Sequence, residues 1–245
     1  MYYFEINSVE YGFCRSENGH YSDKFNRVVK LAQRFSELSS KFDRMMQRGN
    51  YCSKQSRLAL ACKIMMYTGI RIGNESSAEG YMTKPHPFSK KEPEFVQTFG
   101  LTTLQNRHLL VKGRSVYMNF VGKKSVENSY KVTGRLATQI KNTLKSFSGN
   151  TFLDISVYEL TKFVKQSVGR NFTPKDFRTL RANICAYDKL MEITERESPT
   201  TKSALRKELK EITTYVAEQL NNTPGVCKSA YIDDMFWDWV QEIRK

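Results

Sequence analysis

The segment N-N-T-P-G-V-C-K-S-A-Y-I-D, at residues 221–233, contains a tyrosine whose oxygen could serve as a nucleophile. A phenolic oxygen that attacks a phosphorus or carbonyl centre leaves the protein covalently bound to part of its substrate. Most tyrosines instead bury the ring and hydrate the hydroxyl, and this chain has 13 of them. Tyr231 therefore becomes a candidate nucleophile only if the sequence supplies groups that could act with it.

Three basic residues in distinctive local sequences are such groups. Arg71 lies in G-I-R-I-G-N-E, Lys123 in F-V-G-K-K-S and Arg178 in P-K-D-F-R-T. A guanidinium offers an anion a fork of donors at any working pH, and a lysine ammonium can also release a proton. Taken singly, each residue has an ordinary structural role open to it: an ion pair for Arg71, a solvated turn for Lys123 and a helix cap for Arg178.

The charge of the chain favours a polyanionic partner. Its 245 residues include 39 Lys and Arg against 25 Asp and Glu, which gives a net charge of +14 and a pI near 9.5. This imbalance is self-repulsive unless a polyanion relieves it, so nucleic acid is the predicted partner. A membrane is not predicted, because no run approaches the roughly 18 apolar residues of a spanning helix. The start M-Y-Y-F-E-I-N-S lacks the features of a signal peptide, which predicts a cytoplasmic, nuclear or virion location.

The cysteines and histidines predict no metal site and no cofactor. The cysteines are odd in number and form no C-x-x-C pair, which predicts reduced thiols: Cys14, Cys52, Cys62, Cys185 and Cys227. The histidines lie far apart and share no ligand spacing with Cys or acidic residues: His20, His86 and His108. Any chemistry is therefore expected to be metal-free.

The elements that must position these residues are predicted to be mostly helices. Apolar residues recur at steps of three and four from Val28 to Met45, which predicts one helix beginning at Ser22-Asp23. A second helix, from about 54 to 67, ends where two glycines flank Arg71. Further helices are predicted over about 135–147, 156–168, 174–192 and 201–220, the last with R-K-E-L-K-E on a solvated face.

Between these helices the sequence predicts a small antiparallel sheet. The segments L-T-T-L, H-L-L-V, S-V-Y-M-N-F-V and S-Y-K-V are rich in strand-forming residues around the turns K-G-R and G-K-K-S. The predicted fold class is therefore α+β and mostly α-helical, with a three-stranded sheet that carries Lys123 at a hairpin tip. G-K-K-S is not a phosphate-binding loop, because Tyr117 stands where that motif requires a glycine.

Two further segments are assigned by composition. Residues 1–22 are predicted to form a short hairpin or ordered arm, with a turn at E-N-G-H, residues 17–20. Residues 76–98 contain three prolines and are predicted to be a surface loop, whose lysines could touch DNA: Lys84, Lys90 and Lys91.

The order and wording of these segments resemble the catalytic domain of type IB DNA topoisomerases, especially the small viral and bacterial enzymes. The matching motifs are, in chain order, G-I-R-I-G-N-E, G-L-T-T-L-x-N-R-H, F-V-G-K, K-D-F-R-T and N-T-P-x-x-x-K-x-x-Y. The resemblance spans about residues 25–235. It implies the catalytic fold that these enzymes share with the tyrosine recombinases. It also implies that the protein relaxes double-stranded DNA through a 3′-phosphotyrosyl intermediate, without ATP or a metal ion.

The resemblance also implies a role for each candidate residue. Tyr231 is the nucleophile, Arg71 and Arg178 stabilise negative charge on the nonbridging oxygens, and Lys123 is the general acid for the 5′ oxygen. The neighbouring Lys124 remains an alternative to Lys123 as that acid. The residues expected to contact DNA are Lys124, Lys175 and Lys228.

The sequence departs from the viral pattern at two places. Asn222 stands where many members have a histidine that donates to a nonbridging oxygen; its amide can also donate, but without positive charge. Asn222 lies nine residues before Tyr231, across a predicted Pro-Gly turn at residues 224–225, and the alternative role is a cap of that turn. Few residues precede the first core helix, so residues 23–245 are predicted to be the catalytic domain and a separate N-terminal clamp lobe is predicted to be absent. The protein is expected to act as a monomer.

Two alternative functions remain open at this point. A tyrosine recombinase or integrase shares the Arg, Lys, Arg, Tyr order, but it typically has a histidine where this chain has Lys175. A catalytically weak DNA-binding relative would fit the short N-terminus and Asn222. Plasmid relaxation in EDTA would separate both alternatives from a topoisomerase.

Overall fold

The computed structural model describes residues 2–6, 9–13, 23–83 and 92–244, and these residues form ten α-helices and seven β-strands. The helices are α1 (Asp23–Gln33), α2 (Phe35–Arg48), α3 (Lys54–Thr68), α4 (Glu75–Glu79), α5 (Gly134–Ser146), α6 (Val157–Ser167), α7 (Pro174–Thr194), α8 (Lys202–Gln219), α9 (Pro224–Ala230) and α10 (Asp234–Ile243). The strands are β1 (Tyr2–Ile6), β2 (Val9–Phe13), β3 (Tyr81–Met82), β4 (Phe95–Val96), β5 (Leu109–Lys112), β6 (Ser115–Gly122) and β7 (Val126–Val132). The predicted α+β class, mostly α-helical, is confirmed.

The chain divides into two compact units. Unit 1 comprises Met1–Lys41, Met65–Gly69 and Val164–Lys245, and unit 2 comprises Phe42–Ile64 and Ile70–Phe163. Helices α7 to α10 therefore belong to unit 1, and the three-stranded sheet belongs to unit 2.

One hydrophobic cluster in the core of unit 1 is built by the apolar faces of α7 to α10. Residues spaced by three or four positions along α8, such as Ile212 and Val216, are fully buried, as an amphipathic helix requires. They lie in one cluster with Leu190 of α7, Val240 of α10 and the ring of Tyr231. The candidate nucleophile is therefore also a core residue of this unit.

The sheet of unit 2 has the order β5-β6-β7, with both pairs antiparallel. Side chains of β6 alternate between buried and exposed, and Val116, Met118 and Phe120 face the core. The β5–β6 connection is the predicted K-G-R turn. The β6–β7 connection is a 3₁₀ turn over Lys123–Ser125. The predicted sheet with a lysine at a hairpin tip is confirmed.

The first predicted helix is two helices. The chain breaks at Arg34, whose guanidinium donates to the Val168 carbonyl oxygen and to Glu37. The apolar residues keep their helical spacing across the break, as Leu31, Phe35 and Leu38 are all buried. Periodicity alone therefore could not reveal it.

Three other local predictions were wrong. Residues 76–98, predicted to be a surface loop, include most of α4 and the antiparallel strands β3 and β4 in their described part. L-T-T-L is a 3₁₀ turn over Leu101–Thr103 and not a strand, because the Thr103 hydroxyl bonds the backbone of Gly100 and competes with strand pairing. The Pro-Gly pair at residues 224–225 starts α9 and does not form a turn. Thr223 is its N-cap, and Pro224 occupies the first helical position, where its missing N–H costs nothing.

The N-terminal strands β1 and β2 pair antiparallel, with Tyr2 opposite Phe13 and Ile6 opposite Val9. The E-N-G-H segment and the lysines at 84, 90 and 91 lie outside the described residues, so the predictions on them stay predictions.

Candidate active site

Helix α7 carries three of the residues around Tyr231, and its first turn is firmly fixed. The Asp176 carboxylate accepts hydrogen bonds from the backbone N–H and the hydroxyl of Thr173, at 2.7 and 2.8 Å. Arg27 of α1 donates to the other Asp176 oxygen at 3.1 Å. Capping of this kind satisfies helix N–H groups that have no partner in the helix. The turn that presents Lys175 and Arg178 is therefore held in one position.

The Arg178 side chain is buried, with 3% of the residue exposed. One terminal nitrogen donates to the Gly69 carbonyl oxygen at 2.5 Å, and the other donates to the Leu220 carbonyl oxygen at 2.7 Å. The third donor, Nε, is buried without a hydrogen-bond partner in the described part of the chain. A buried charged donor without an acceptor is costly, so Nε marks a place where an anion would be stabilised.

Tyr231 directly follows α9, and its ring lies against two cationic side chains. The Arg178 guanidinium carbon lies 5.2 Å from the ring centroid, and Lys175 Nζ lies 5.9 Å from it. Asn183 of α7 donates from its side-chain amide to the Tyr231 carbonyl oxygen at 2.9 Å. The backbone of Tyr231 is therefore held by α7 while the ring packs in the core.

Asn222 lies in the short connection between α8 and α9. Its backbone N–H donates to the Ala217 carbonyl oxygen at 2.9 Å. Its side-chain Nδ2 is buried and has no hydrogen-bond partner within residues 2–6, 9–13, 23–83 and 92–244. Asn222 lies two residues after Leu220, whose carbonyl oxygen accepts a hydrogen bond from Arg178. Among the described residues of unit 1, three buried side-chain donors are unpartnered: Arg178 Nε, Asn222 Nδ2 and Trp237 Nε1.

Lys228 lies on the exposed side of α9. Its Nζ is 5.7 Å from the centroid of the Trp237 ring. The exposed position is open to an anionic ligand such as a phosphate, and its proposed contact with DNA stays a prediction.

Arg71 belongs to unit 2 and lies in the connection between α3 and α4. Gly69 and Gly73 both have positive φ, 65° and 93°, so the predicted break in the helix is confirmed. The Arg71 carbonyl oxygen accepts a hydrogen bond from the Leu101 N–H at 2.8 Å. A Cβ on Gly100 would lie 2.4 Å from the Gly73 nitrogen, so only glycine permits this close approach of two backbones. The G-I-R-I-G segment is thereby pinned to the G-L-T-T-L segment.

Lys123 and Lys124 are both exposed in the connection between β6 and β7. Lys124 and Ser125 have positive φ values of 63° and 58°, which few non-glycine residues adopt. The Asn128 amide donates to the Val126 carbonyl oxygen at 2.7 Å and supports the turn. The two ammonium groups are thus presented to solvent from a tight and unusual turn, and the choice between them as general acid stays open.

The structure brings Arg178, Lys175 and Tyr231 together within unit 1. Asn222 lies two residues after Leu220, whose carbonyl oxygen accepts a hydrogen bond from Arg178. Arg71, Lys123 and Lys124 are in unit 2. Sequence reasoning missed Asn183, although an asparagine inside an apolar helical stretch is a signal, since a buried amide needs partners. It also missed the carbonyl of Gly69 as an acceptor, which no side-chain pattern could indicate.

Gly69→Ala is expected to destabilise unit 1 by about 1–3 kcal/mol, because the residue has φ +65° and an added Cβ would lie 2.7 Å from Leu220 Cδ2. Chemical denaturation measures this free energy of unfolding. Gly113→Ala is the matched control, since Gly113 has φ +54° with nothing within 4 Å of an added Cβ. The control should show only the cost of the backbone conformation. Equal losses in both variants would mean that Gly69 does not pack tightly against Leu220.

The described residues contain no helix with the length and apolar character that a membrane span requires. No group of three or more His, Cys, Asp or Glu side chains in the same residues is placed to hold a metal ion.

Comparison with known proteins identifies relatives along most of the chain. The model of a family described as the catalytic core of eukaryotic DNA topoisomerase I matches residues 17–243. A protein of Acanthamoeba polyphaga mimivirus named DNA topoisomerase 1B is 23% identical over 231 residues. That alignment covers 87% of this chain and 63% of the viral protein, so the chain spans less than two thirds of the relative's length.

Proposed function

The chain belongs to the family of the eukaryotic DNA topoisomerase I catalytic core, and from this premise we propose that it relaxes supercoiled double-stranded DNA by cutting and rejoining one strand. The family is the one that the sequence motifs indicate, and the tyrosine recombinases are the less favoured alternative. The substrate is double-stranded DNA, which also fits the net charge of +14.

The observation that carries this proposal is two buried donors without partners, one on Arg178 and one in the α8–α9 connection, where the Leu220 carbonyl oxygen accepts from Arg178. Arg178 Nε and Asn222 Nδ2 each lack an acceptor in the described part of the chain. A buried donor left unpaired costs about 1–3 kcal/mol, and a ligand that supplies acceptors would remove this cost. The nonbridging oxygens of a DNA phosphate are acceptors of this kind, and the negative charge matches the guanidinium.

In the proposed reaction, the Tyr231 oxygen attacks a backbone phosphorus. The bond between phosphorus and the 5′ oxygen breaks as the tyrosine–phosphorus bond forms, and the phenolic proton passes to water. Lys123 gives a proton to the departing 5′ oxygen, with Lys124 as the alternative donor. The phosphodiester energy is kept in the 3′-phosphotyrosyl bond, so the free 5′ hydroxyl can reverse the reaction after the strands rotate.

The transition state carries extra negative charge on the nonbridging oxygens. Arg71, Arg178 and Asn222 are the groups that we propose stabilise it, the first two through charged donors and the third through a neutral amide. Donors that the folded protein already holds in place need not reorganise as this charge develops. The hydrogen bonds from Arg178 to Gly69 and Leu220 provide such preorganisation.

The experiment that tests the proposal is plasmid relaxation in EDTA without ATP. We expect both positively and negatively supercoiled plasmids to be relaxed, because neither attack by Tyr231 nor strand rotation requires a metal ion or nucleotide hydrolysis. Agarose gels resolve the topoisomers. A strict requirement for magnesium or ATP, or products joined between two DNA molecules, would contradict the proposal and favour a different enzyme.

DNA affinity is expected to fall steeply with salt. A basic protein that contacts mainly phosphates releases counterions on binding, and the slope of log affinity against log salt is about −0.9 for each phosphate neutralised. Fluorescence anisotropy over a series of salt concentrations measures this slope. Lys228→Gln should reduce its magnitude by about 0.9 if the exposed Lys228 contacts a phosphate. Lys145→Gln, at the exposed end of α5, provides a charge-matched comparison. Affinity that does not change with salt would show that phosphate contacts do not dominate binding.

A further inference from the structure

Arg244, which directly follows α10, is a buried arginine with a full set of partners. Only 3% of the residue is exposed. Its Nε and one terminal nitrogen donate to the two oxygens of Glu208, at 3.1 and 2.8 Å. Its terminal nitrogens also donate to the carbonyl oxygens of Arg196 and Glu197, at 3.1 and 2.8 Å. The forked pairing with Glu208 is the strongest geometry available to an arginine–carboxylate pair.

These bonds connect three separate segments of unit 1. Glu208 belongs to α8, and the two carbonyls belong to the connection that follows α7. Breaking a buried ion pair leaves an unpaired charge, which is strongly unfavourable. The end of α10 is therefore fixed against α8 and the α7–α8 connection.

The same helix leads back to Tyr231. Helix α10 begins at Asp234, three residues after Tyr231, and its side chains Phe236, Trp237 and Val240 lie in one buried cluster with the Tyr231 ring. If α10 moved away from α8, this cluster would open on one side of the ring. The backbone between Tyr231 and α10 would also lose its fixed end.

We propose that Arg244 is a positioning residue for Tyr231. By holding α10 against α8, it keeps the nucleophile in the orientation from which it attacks the phosphate. This inference rests on the proposed function and extends it to a buried residue 13 positions away from Tyr231. A misplacement of about 1 Å in a reacting group can slow a reaction about 10²-fold, so a small movement of α10 is sufficient for a large effect.

Arg244→Gln is expected to slow formation of the covalent complex by about 10- to 100-fold, with DNA affinity unchanged. The measurement is single-turnover cleavage of a DNA duplex, with the adduct trapped by denaturant, at a temperature well below the melting point of the variant. Strand rejoining should slow much less, because in the intermediate the Tyr231 oxygen is already bonded to the phosphorus. Arg244→Lys keeps one charged contact with Glu208 and should restore part of the rate.

Arg196→Gln is the matched control. The Arg196 side chain links Glu192 of α7 and Glu211 of α8, and its hydrogen bonds among the described residues go to these two glutamates. Its backbone carbonyl, which accepts from Arg244, is unchanged by the substitution. We expect this variant to cleave at the rate of the parent protein.

Tryptophan fluorescence provides a test that does not depend on DNA chemistry. The chain contains two tryptophans, Trp237 and Trp239, and both lie on α10. Quenching by acrylamide should increase in Arg244→Gln and remain unchanged in Arg196→Gln. If the parent protein formed no covalent adduct, the proposed function would fail, and the quenching would still decide whether Arg244 holds α10. Unchanged quenching, or increased quenching with unchanged cleavage, would overturn the positioning role.

Discussion

Tyr231→Phe is expected to abolish DNA relaxation and the covalent complex with DNA. The substitution removes the attacking oxygen and nothing else, since the phenyl ring can occupy the same place among Phe236, Trp237 and Val240. Loss of a covalent nucleophile lowers the rate by on the order of 10⁶, which would bring relaxation to background. Plasmid relaxation and trapping of the adduct with denaturant measure the two losses.

The same variant should fold and bind DNA almost as the parent does. The hydrogen bond from Asn183 goes to the Tyr231 backbone carbonyl, which phenylalanine retains. The cations near the ring, Arg178 and Lys175, keep an aromatic face. Nearly equal melting temperatures and DNA dissociation constants would therefore separate a chemical loss from a structural one.

Tyr215→Phe provides the matched control, because Tyr215 packs against the same buried cluster from α8. Removing its hydroxyl should leave relaxation intact. If Tyr231→Phe relaxed plasmids at the parent rate, Tyr231 would be only a core aromatic. If Tyr215→Phe were inactive and Tyr231→Phe active, Tyr215 and not Tyr231 would be the nucleophile.

The long helices and the sheet could be predicted because their signals are local. Steps of three and four in apolar residues specify α7 and α8, and alternation with the turns K-G-R and G-K-K-S specifies β5 to β7. The glycines at 69 and 73 likewise mark the end of α3, because their backbone conformations exclude a continued helix. In each case the physical cause lies within a few residues of the feature.

The remaining features depend on partners that are distant in the sequence. The buried Arg178 is satisfied by carbonyls of residues 69 and 220, and Arg244 by Glu208 and two carbonyls near 196. Backbone oxygens have the same chemistry at every position, so the sequence does not indicate which of them will accept. The start of α9 at Pro224 was missed for another reason: a Pro-Gly pair is common in turns, and only the N-cap geometry of Thr223 shows a helix.

Asn222 is the residue for which the sequence and the structure together define the sharpest test. The sequence offers two roles: donation to a nonbridging oxygen, or a structural cap of the turn before α9. In the structure Thr223 is the N-cap of α9, and Asn222 Nδ2 is buried without a partner in the described residues. The N-cap position of α9 is therefore occupied by Thr223 and not by Asn222. We therefore expect the chemistry to depend on this amide and the stability of the fold not to.

Asn222→Ala is expected to slow single-turnover cleavage by roughly 10² to 10³, the range for losing one donor that acts in the transition state. Its melting temperature should barely change, since removal of the Nδ2 group breaks no hydrogen bond within the described residues.

The neighbouring Asn221 provides a control. It has φ +48°, so Asn221→Ala should lower the free energy of unfolding by about 1–2 kcal/mol while cleavage continues at the parent rate. Asn222→His should retain much of the activity, because an imidazole can also donate to the oxygen and gains positive charge at lower pH. Unchanged cleavage with a lowered melting temperature in Asn222→Ala would exclude Asn222 from the active site and make it a structural residue of the α8–α9 connection.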